Sequence, residues 1–141
     1  FEKVHAFDEP LVLVAPADYP AMGDGKALPA TAIAFETGCP HRLRLERWYR
    51  DRGEMPSRLI ELGSYHAMLG CIVAGMGVAL MPVSVLGTFP ERDRVSVHPL
   101  PSGLDSAETV LMWRKGLRSP NVAALAEMLD GWEDAGAKEI G

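Results

Sequence analysis

Apolar residues arrive along this chain in short runs, and the spacing within the runs changes in a regular way. Leu11-Val12-Leu13-Val14-Ala15 is a continuous apolar stretch stopped by Pro16, which predicts a strand. A loop follows, marked by Pro20, Gly23, Gly25 and Pro29, before a second short strand from Thr31 to Phe35. The Gly38-Cys39-Pro40 turn ends that strand. From His41 to Arg52 the pattern changes: Leu45, Trp48 and Tyr49 fall at i, i+3 and i+4 among charges, which predicts an amphipathic helix with Gly53 as its C-cap. Arg58 to Leu62 is a third strand. Ser64 then stands at the N-cap position of a helix running to about Ala74, with Met68, Leu69, Ile72 and Val73 inward. Gly75-Met76-Gly77 turns into a fourth strand, Val78 to Met81, whose unbroken apolar character implies cover on both faces.

Beyond Pro82 the pattern loosens. Arg94 to Leu100 alternates Val95 and Val97 with polar residues, as a half-exposed strand does. Pro101-Ser102-Gly103 is a turn, and Thr109 to Trp113 reads as a further strand. Ser119-Pro120 is an N-cap followed by an N1 proline, and it opens a last helix. On that helix Val122, Leu125, Leu129 and Trp132 make one face that needs a partner; the polar tail beyond Ala135 is expected to fray. Strand and helix signals alternate throughout, the pattern of an α/β layer fold. The start is odd: residue 1 is not methionine, and an apolar strand follows almost at once, so covering elements are expected to precede it.

Composition narrows the class without adding chemistry. The 141 residues suit one packed domain, and 48% hydrophobic with 23% charged residues excludes a disordered tail. A net charge of -5 gives no broad basic surface for a polyanion. The opening FEKVHAFDEP lacks the basic residues and apolar run of an export signal. The most apolar stretch, Met68 to Leu86, is broken by Gly70, Gly75, Gly77 and Pro82, which fits a helix-turn-strand and no membrane span. Cys39 and Cys71 are expected as buried thiols of a cytoplasmic protein. Enzyme readings fare poorly. The histidines His5, His41, His66 and His98 have no metal-ligand spacing, Gly75-Met76-Gly77 follows a helix and precedes a strand, and no nucleophile elbow occurs. Neither a cofactor nor a metal is expected.

The run from Gly38 to Leu86 resembles the effector-binding domain of LysR-type transcriptional regulators. The segment Val73-Ala74-Gly75-Met76-Gly77-Val78-Ala79-Leu80-Met81-Pro82 is similar to that family's helix-to-strand signature. Two further stretches resemble it: Pro10 to Pro16 with Tyr19-Pro20, and Val110 to Lys115 with the helix from Pro120. Tyr19 stands where the family more often has histidine. The resemblance implies a periplasmic-binding-protein-like (type II) lobe, a central mixed sheet flanked by helices, with the first lobe and a DNA-binding winged helix-turn-helix largely outside the chain. Residues 1–10 would lead into a crossing strand, 11–100 would form the second lobe, and 101–141 would supply the return strand and a helix of the first lobe. It implies a small-molecule effector between lobes, a dimer or higher homo-oligomer, and promoter DNA reached only through the N-terminal domain. An extracytoplasmic solute-binding lobe of similar fold is the alternative, and a small metabolic enzyme a more distant one.

Ser64, with Tyr65 and His66, is the leading candidate for effector contact. A helix start presents unpaired N–H groups and partial positive charge, so it suits a small organic anion. The plainer alternative leaves Ser64 as a cap and Tyr65 as packing. The turn Thr37-Gly38-Cys39-Pro40-His41 is the second candidate, because open α/β sheets bind ligands beyond the carboxyl ends of their strands. Thr37 would offer a hydroxyl and His41 a titratable donor, against a reading as a capped, exposed turn. Cys39 as an oxidant sensor would need exposure and a positive neighbour. The arginines Arg42, Arg44, Arg47, Arg50 and Arg52 read as a solvated or subunit-facing surface rather than a phosphate site.

Overall fold

The computed structural model describes residues 1–20 and 27–136, with side chains placed as far as residue 131. Gly23, Gly25, the Trp132 side chain and the expected frayed tail beyond residue 136 lie outside the described residues. The elements are β1 (Glu2–Pro16), β2 (Thr31–Ala34), α1 (Pro40–Arg50), β3 (Arg58–Glu61), α2 (Tyr65–Val73), β4 (Val78–Pro82), α3 (Val83–Gly87), a 3-10 turn (Arg92–Arg94), β5 (Val95–Pro99), β6 (Ser106–Trp113) and α4 (Pro120–Gly136). The chain divides into two compact units, Pro10–Ser106 and the pairing of Phe1–Glu9 with Ala107–Gly141.

The larger unit is a mixed sheet in the order β3-β2-β4-β1-β5. Strands β3, β2 and β4 run parallel, with Ile33 opposite Ile60 on one side and Ala79 on the other. Strand β1 enters antiparallel between β4 and β5, setting Leu13 opposite both Leu80 and His98. Right-handed crossovers from β2 to β3 and from β3 back past β2 to β4 put α1 and α2 on opposite faces. Burial agrees with that. Met68, Leu69 and Ile72 of α2 pack with Leu86, Val14, Ile33, Ala79, Met81 and Val95 in one cluster. Successive strand residues point to opposite faces, so Leu13, Ala32, Ala34 and Leu80, also buried, face the other way, where α1 buries Leu45, Trp48 and Tyr49. Within the described residues, β4 and β5 flank the second half of β1, and Val14 packs against residues of α2.

Several boundaries differ from the pattern-based expectation. Helix α1 begins at Pro40 and ends with Asp51 at the C-cap; Gly53, at φ +74°, carries the turn that follows. Strand β4 is buried at every position, as its composition required. The loose stretch after Pro82 contains α3, a short helix with only Leu86 buried. In β5 the expected valine face fails: Val95 is buried, but Val97 is 53% exposed, while the polar His98 is 8% exposed. His98 is accommodated because its Nε2 lies 2.8 Å from Ser96 Oγ, which donates to the Pro16 carbonyl at 2.7 Å. Both cysteines are free and only partly buried, a correction to the expectation of buried thiols.

In the smaller unit β6 pairs with β1. Trp113 Nε1 donates to the Glu2 carboxylate at 2.8 Å, and Arg118 lies over the Trp113 ring. Ser119 caps α4, accepting from the Val122 N–H at 3.3 Å. On α4 Ala126 is buried and Val122 and Leu129 are half-buried, but Leu125 and Met128 are exposed. Strand β1 begins at Glu2, far earlier than the apolar run from Leu11, because its first half is polar and its pairing is with β6.

Candidate crevice at the carboxyl ends of β2 and β3

Adjacent parallel strands whose crossovers leave toward opposite faces open a crevice beyond their carboxyl ends. Strands β2 and β3 are such a pair. The crevice is there: a cleft of about 300 Å³ lined by Phe35 and Glu36 after β2 and by Glu61, Leu62 and Gly63 at the end of β3. Helices α1 and α2 both start in the segments that leave this end of the sheet. Ser64, next in sequence to the lining residues, is the N-cap of α2, in extended conformation, and its Oγ accepts from the Ala67 N–H at 3.2 Å. The helix start is therefore formed as its sequence indicated, with the cap hydroxyl exposed.

Tyr65 is half-buried and stands edge-on to Phe35, ring centroids 4.9 Å apart, and 6.4 Å from the His41 ring. The structure therefore brings together Tyr65 from α2, Phe35 from the end of β2 and His41 from the first turn of α1. Phe35 was missed as a site residue; the signal was its position just past a strand end. Cys39, partly buried, is the N-cap of α1, but its side chain makes no capping hydrogen bond. Thr37 is exposed in the turn and does not cap α1; the Cys39 N–H closes the turn on the Glu36 carbonyl at 3.2 Å. His66 is exposed on the first turn of α2, as Thr37 is in its turn.

Arg42 corrects the reading of the α1 arginines as one solvated face. Its side chain is only 14% exposed. Nε donates to Glu46 at 2.9 Å, and Nη1 donates to the Phe35 carbonyl at 3.2 Å and to Glu61 at 2.9 Å. The hydrogen bond to Glu46, with that to Glu61, outweighs partial desolvation and raises the guanidinium's pKa above its ordinary value. Arg52 likewise turns inward, 4.6 Å over the Trp48 ring, whereas Arg47 and Arg50 are exposed. Among the described residues no cluster of three or more histidine, cysteine, aspartate or glutamate side chains could hold a metal ion, and no helix is long and apolar enough to cross a membrane.

A mixed sheet with a sheet-end crevice defines a ligand-binding α/β lobe. Residues 1–133 match the LysR substrate binding domain, and the chain belongs to that family. It is therefore an effector-binding domain of the LysR type. The chain is 30% identical over 135 residues to the HTH-type transcriptional regulator GltR of Bacillus subtilis, covering 94% of this chain and 45% of GltR. It is 31% identical over 112 residues to the HTH-type transcriptional regulator SoxR of an Arthrobacter species, covering 79% of this chain and 38% of SoxR. It therefore spans under half the length of these curated relatives. Among solved structures it is similar to the BenM effector-binding domain with its effector benzoate, at TM-score 0.71 and 17% identity, over 96% of this chain and 64% of that one. It is also similar to the CcmR regulatory domain of Synechocystis PCC6803 in complex with 2-PG, at TM-score 0.71 and 21% identity, over 91% and 64%. At these identities the structures establish the fold, a periplasmic-binding-like mixed sheet flanked by helices.

Proposed function

We propose that the chain is the sensing part of a cytoplasmic LysR-type transcriptional regulator, and that its crevice holds a small organic anion. The observation that carries this is one sheet-end cleft lined by Phe35, Glu61 and Gly63, with Tyr65 packed on Phe35, Arg42 bonded to Phe35 and Glu61, and the Ser64-capped start of α2 following Gly63. The helix start supplies N–H groups and partial positive charge, and the aromatic pair supplies an apolar wall. Ser64, Tyr65 and His66 form the α2 side of the site, and Thr37, Cys39 and His41 the α1 side. That relatives are helix-turn-helix regulators, and that a domain of this fold holds benzoate, supports the reading.

On this reading residues 11–100 are the second lobe, 1–10 lead into its crossing strand, and 101–141 carry the return strand and a helix of the first lobe. Effector binding shifts the balance between lobe arrangements, and a homo-oligomer passes the shift to an N-terminal winged helix-turn-helix on promoter DNA. A thermal-shift screen of metabolites on the intact protein tests the proposal, followed by amide-shift mapping of each hit. Hits are expected among small carboxylates, with the largest shifts at Phe35, Gly63, Ser64 and Tyr65. Hits that map elsewhere in the fold would sink it.

A further inference from the structure

We infer that Glu61 is a built-in counter-ion which occupies Arg42 while the crevice is empty, and which an effector's anionic group must displace. The inference rests on the crevice being the effector site and assigns the residue that selects for anions there. Arg42 is held in place from two sides that do not involve Glu61: Nε by Glu46 at 2.9 Å and Nη1 by the Phe35 carbonyl at 3.2 Å. Glu46 is 24% exposed at its side chain, Glu61 55%. The inner partners therefore anchor the guanidinium, and the outer one is open to exchange. Glu61 and Phe35, the two partners of Nη1, both line the cleft, so Arg42 stands directly behind those lining residues.

The geometry of that contact makes it replaceable. Glu61 engages Arg42 through one oxygen on Nη1, at 2.9 Å, and no hydrogen bond to Nη2 is formed among the described residues. A free carboxylate that takes both terminal nitrogens makes the two parallel bonds of a fork, which are stronger than one. It brings that advantage against a glutamate fixed at the end of β3. Once displaced, Glu61 is already half in water, so its release carries little desolvation cost. Glu36, exposed on the same cleft, repels a bare anion, so an effector is favoured that also presents a donor on that side. Glu61 thus lowers affinity for every anion and removes weak ones, a form of selection by competition.

The test uses benzoate as probe, with benzamide as its uncharged counterpart, on the intact protein and its Glu61→Gln and Arg42→Lys variants. The side-chain Nε–H signal of Arg42 and the carboxyl carbon signal of Glu61 are followed by NMR through each titration. Benzoate is expected to move both signals in the unaltered protein, and benzamide neither. In Glu61→Gln the benzoate midpoint falls by about tenfold, because the competing charge is gone. In Arg42→Lys, which keeps the charge but loses the fork, it rises by about tenfold. Equal midpoints in the unaltered protein and Glu61→Gln, or an Arg42 signal that benzoate leaves in place, overturns the inference. If benzoate then still moves the Ser64 and Tyr65 amides, the crevice remains the effector site; if no carboxylate moves them, that broader reading falls as well.

Discussion

Replacing Ser64 once by alanine and once by glycine separates the two jobs its hydroxyl can have. As a cap it accepts from the Ala67 N–H at 3.2 Å. Alanine at an N-cap typically costs about 1 kcal/mol, and glycine only a few tenths. The loss stays confined to the first turn, because Met68, Leu69 and Ile72 remain buried and hold α2 on the sheet. With a urea slope of about 2 kcal/mol/M, Ser64→Ala lowers the unfolding midpoint by about 0.5 M, and Ser64→Gly by about 0.1 to 0.2 M. Both variants lack the exposed hydroxyl that follows the crevice-lining Gly63 in the chain. If the ligand meets that hydroxyl, each loses about 1 kcal/mol of effector binding, roughly a fivefold weaker Kd. Urea unfolding and calorimetric titration with the effector found by screening measure the two quantities. Unaltered affinity in both variants, or an affinity loss that follows stability so that alanine is hit and glycine spared, refutes the assignment and leaves Ser64 a cap alone.

Gly77→Ala is expected to destabilise the fold by about 1–3 kcal/mol in denaturant unfolding, because a Cβ there comes 2.6 Å from the Thr31 carbonyl oxygen, a backbone atom with little freedom to retreat. A midpoint equal to that of the unaltered protein refutes the close approach. Tyr49→Phe removes the bond from the buried hydroxyl to the Pro29 carbonyl at 2.8 Å and is expected to cost about 1 kcal/mol; no change in unfolding would mean that water replaces it without loss. His98 gives a pH dependence with a definite sign. Burial lowers its pKa below the ordinary imidazole value, so the unfolded chain takes up the proton first as pH falls. Stability is full above the ordinary value, declines as pH drops toward the folded value, and levels off below it. His98→Gln should flatten this part of the profile, and an unchanged slope there would show that other groups set it.

The parts of the fold that could be read from sequence are those where one segment's own periodicity decides its burial. Leu45, Trp48 and Tyr49 fall on one helical face and are buried, and β4 is apolar throughout and covered on both sides. Ser64 and Ser119 announce their helices because capping depends on residues three apart. What escaped depends on partners distant in sequence. The polar first half of β1 becomes a strand through β6, about a hundred residues later. His98 is accommodated in the interior because its ring meets Ser96 Oγ, which is itself held by the distant Pro16 carbonyl, while Val97 is left outside. Among the four arginines of α1, only tertiary structure shows that Arg42 meets the crevice-lining Glu61, a partner 19 residues away. For the site the position was legible, as the strand ends and the start of α2. The aromatic pair and the arginine were not, since no local rule marks them.

The way β1 is threaded has a practical consequence for dissecting the molecule. The described residues that line the crevice run from Phe35 to Gly63, which invites expression of a trimmed version starting after Pro16. Such a version would keep those lining residues and lose the strand that joins β4 to β5. It would expose the flank of β4 to any available strand, and aggregation, not ligand recognition, would be what the experimenter observed.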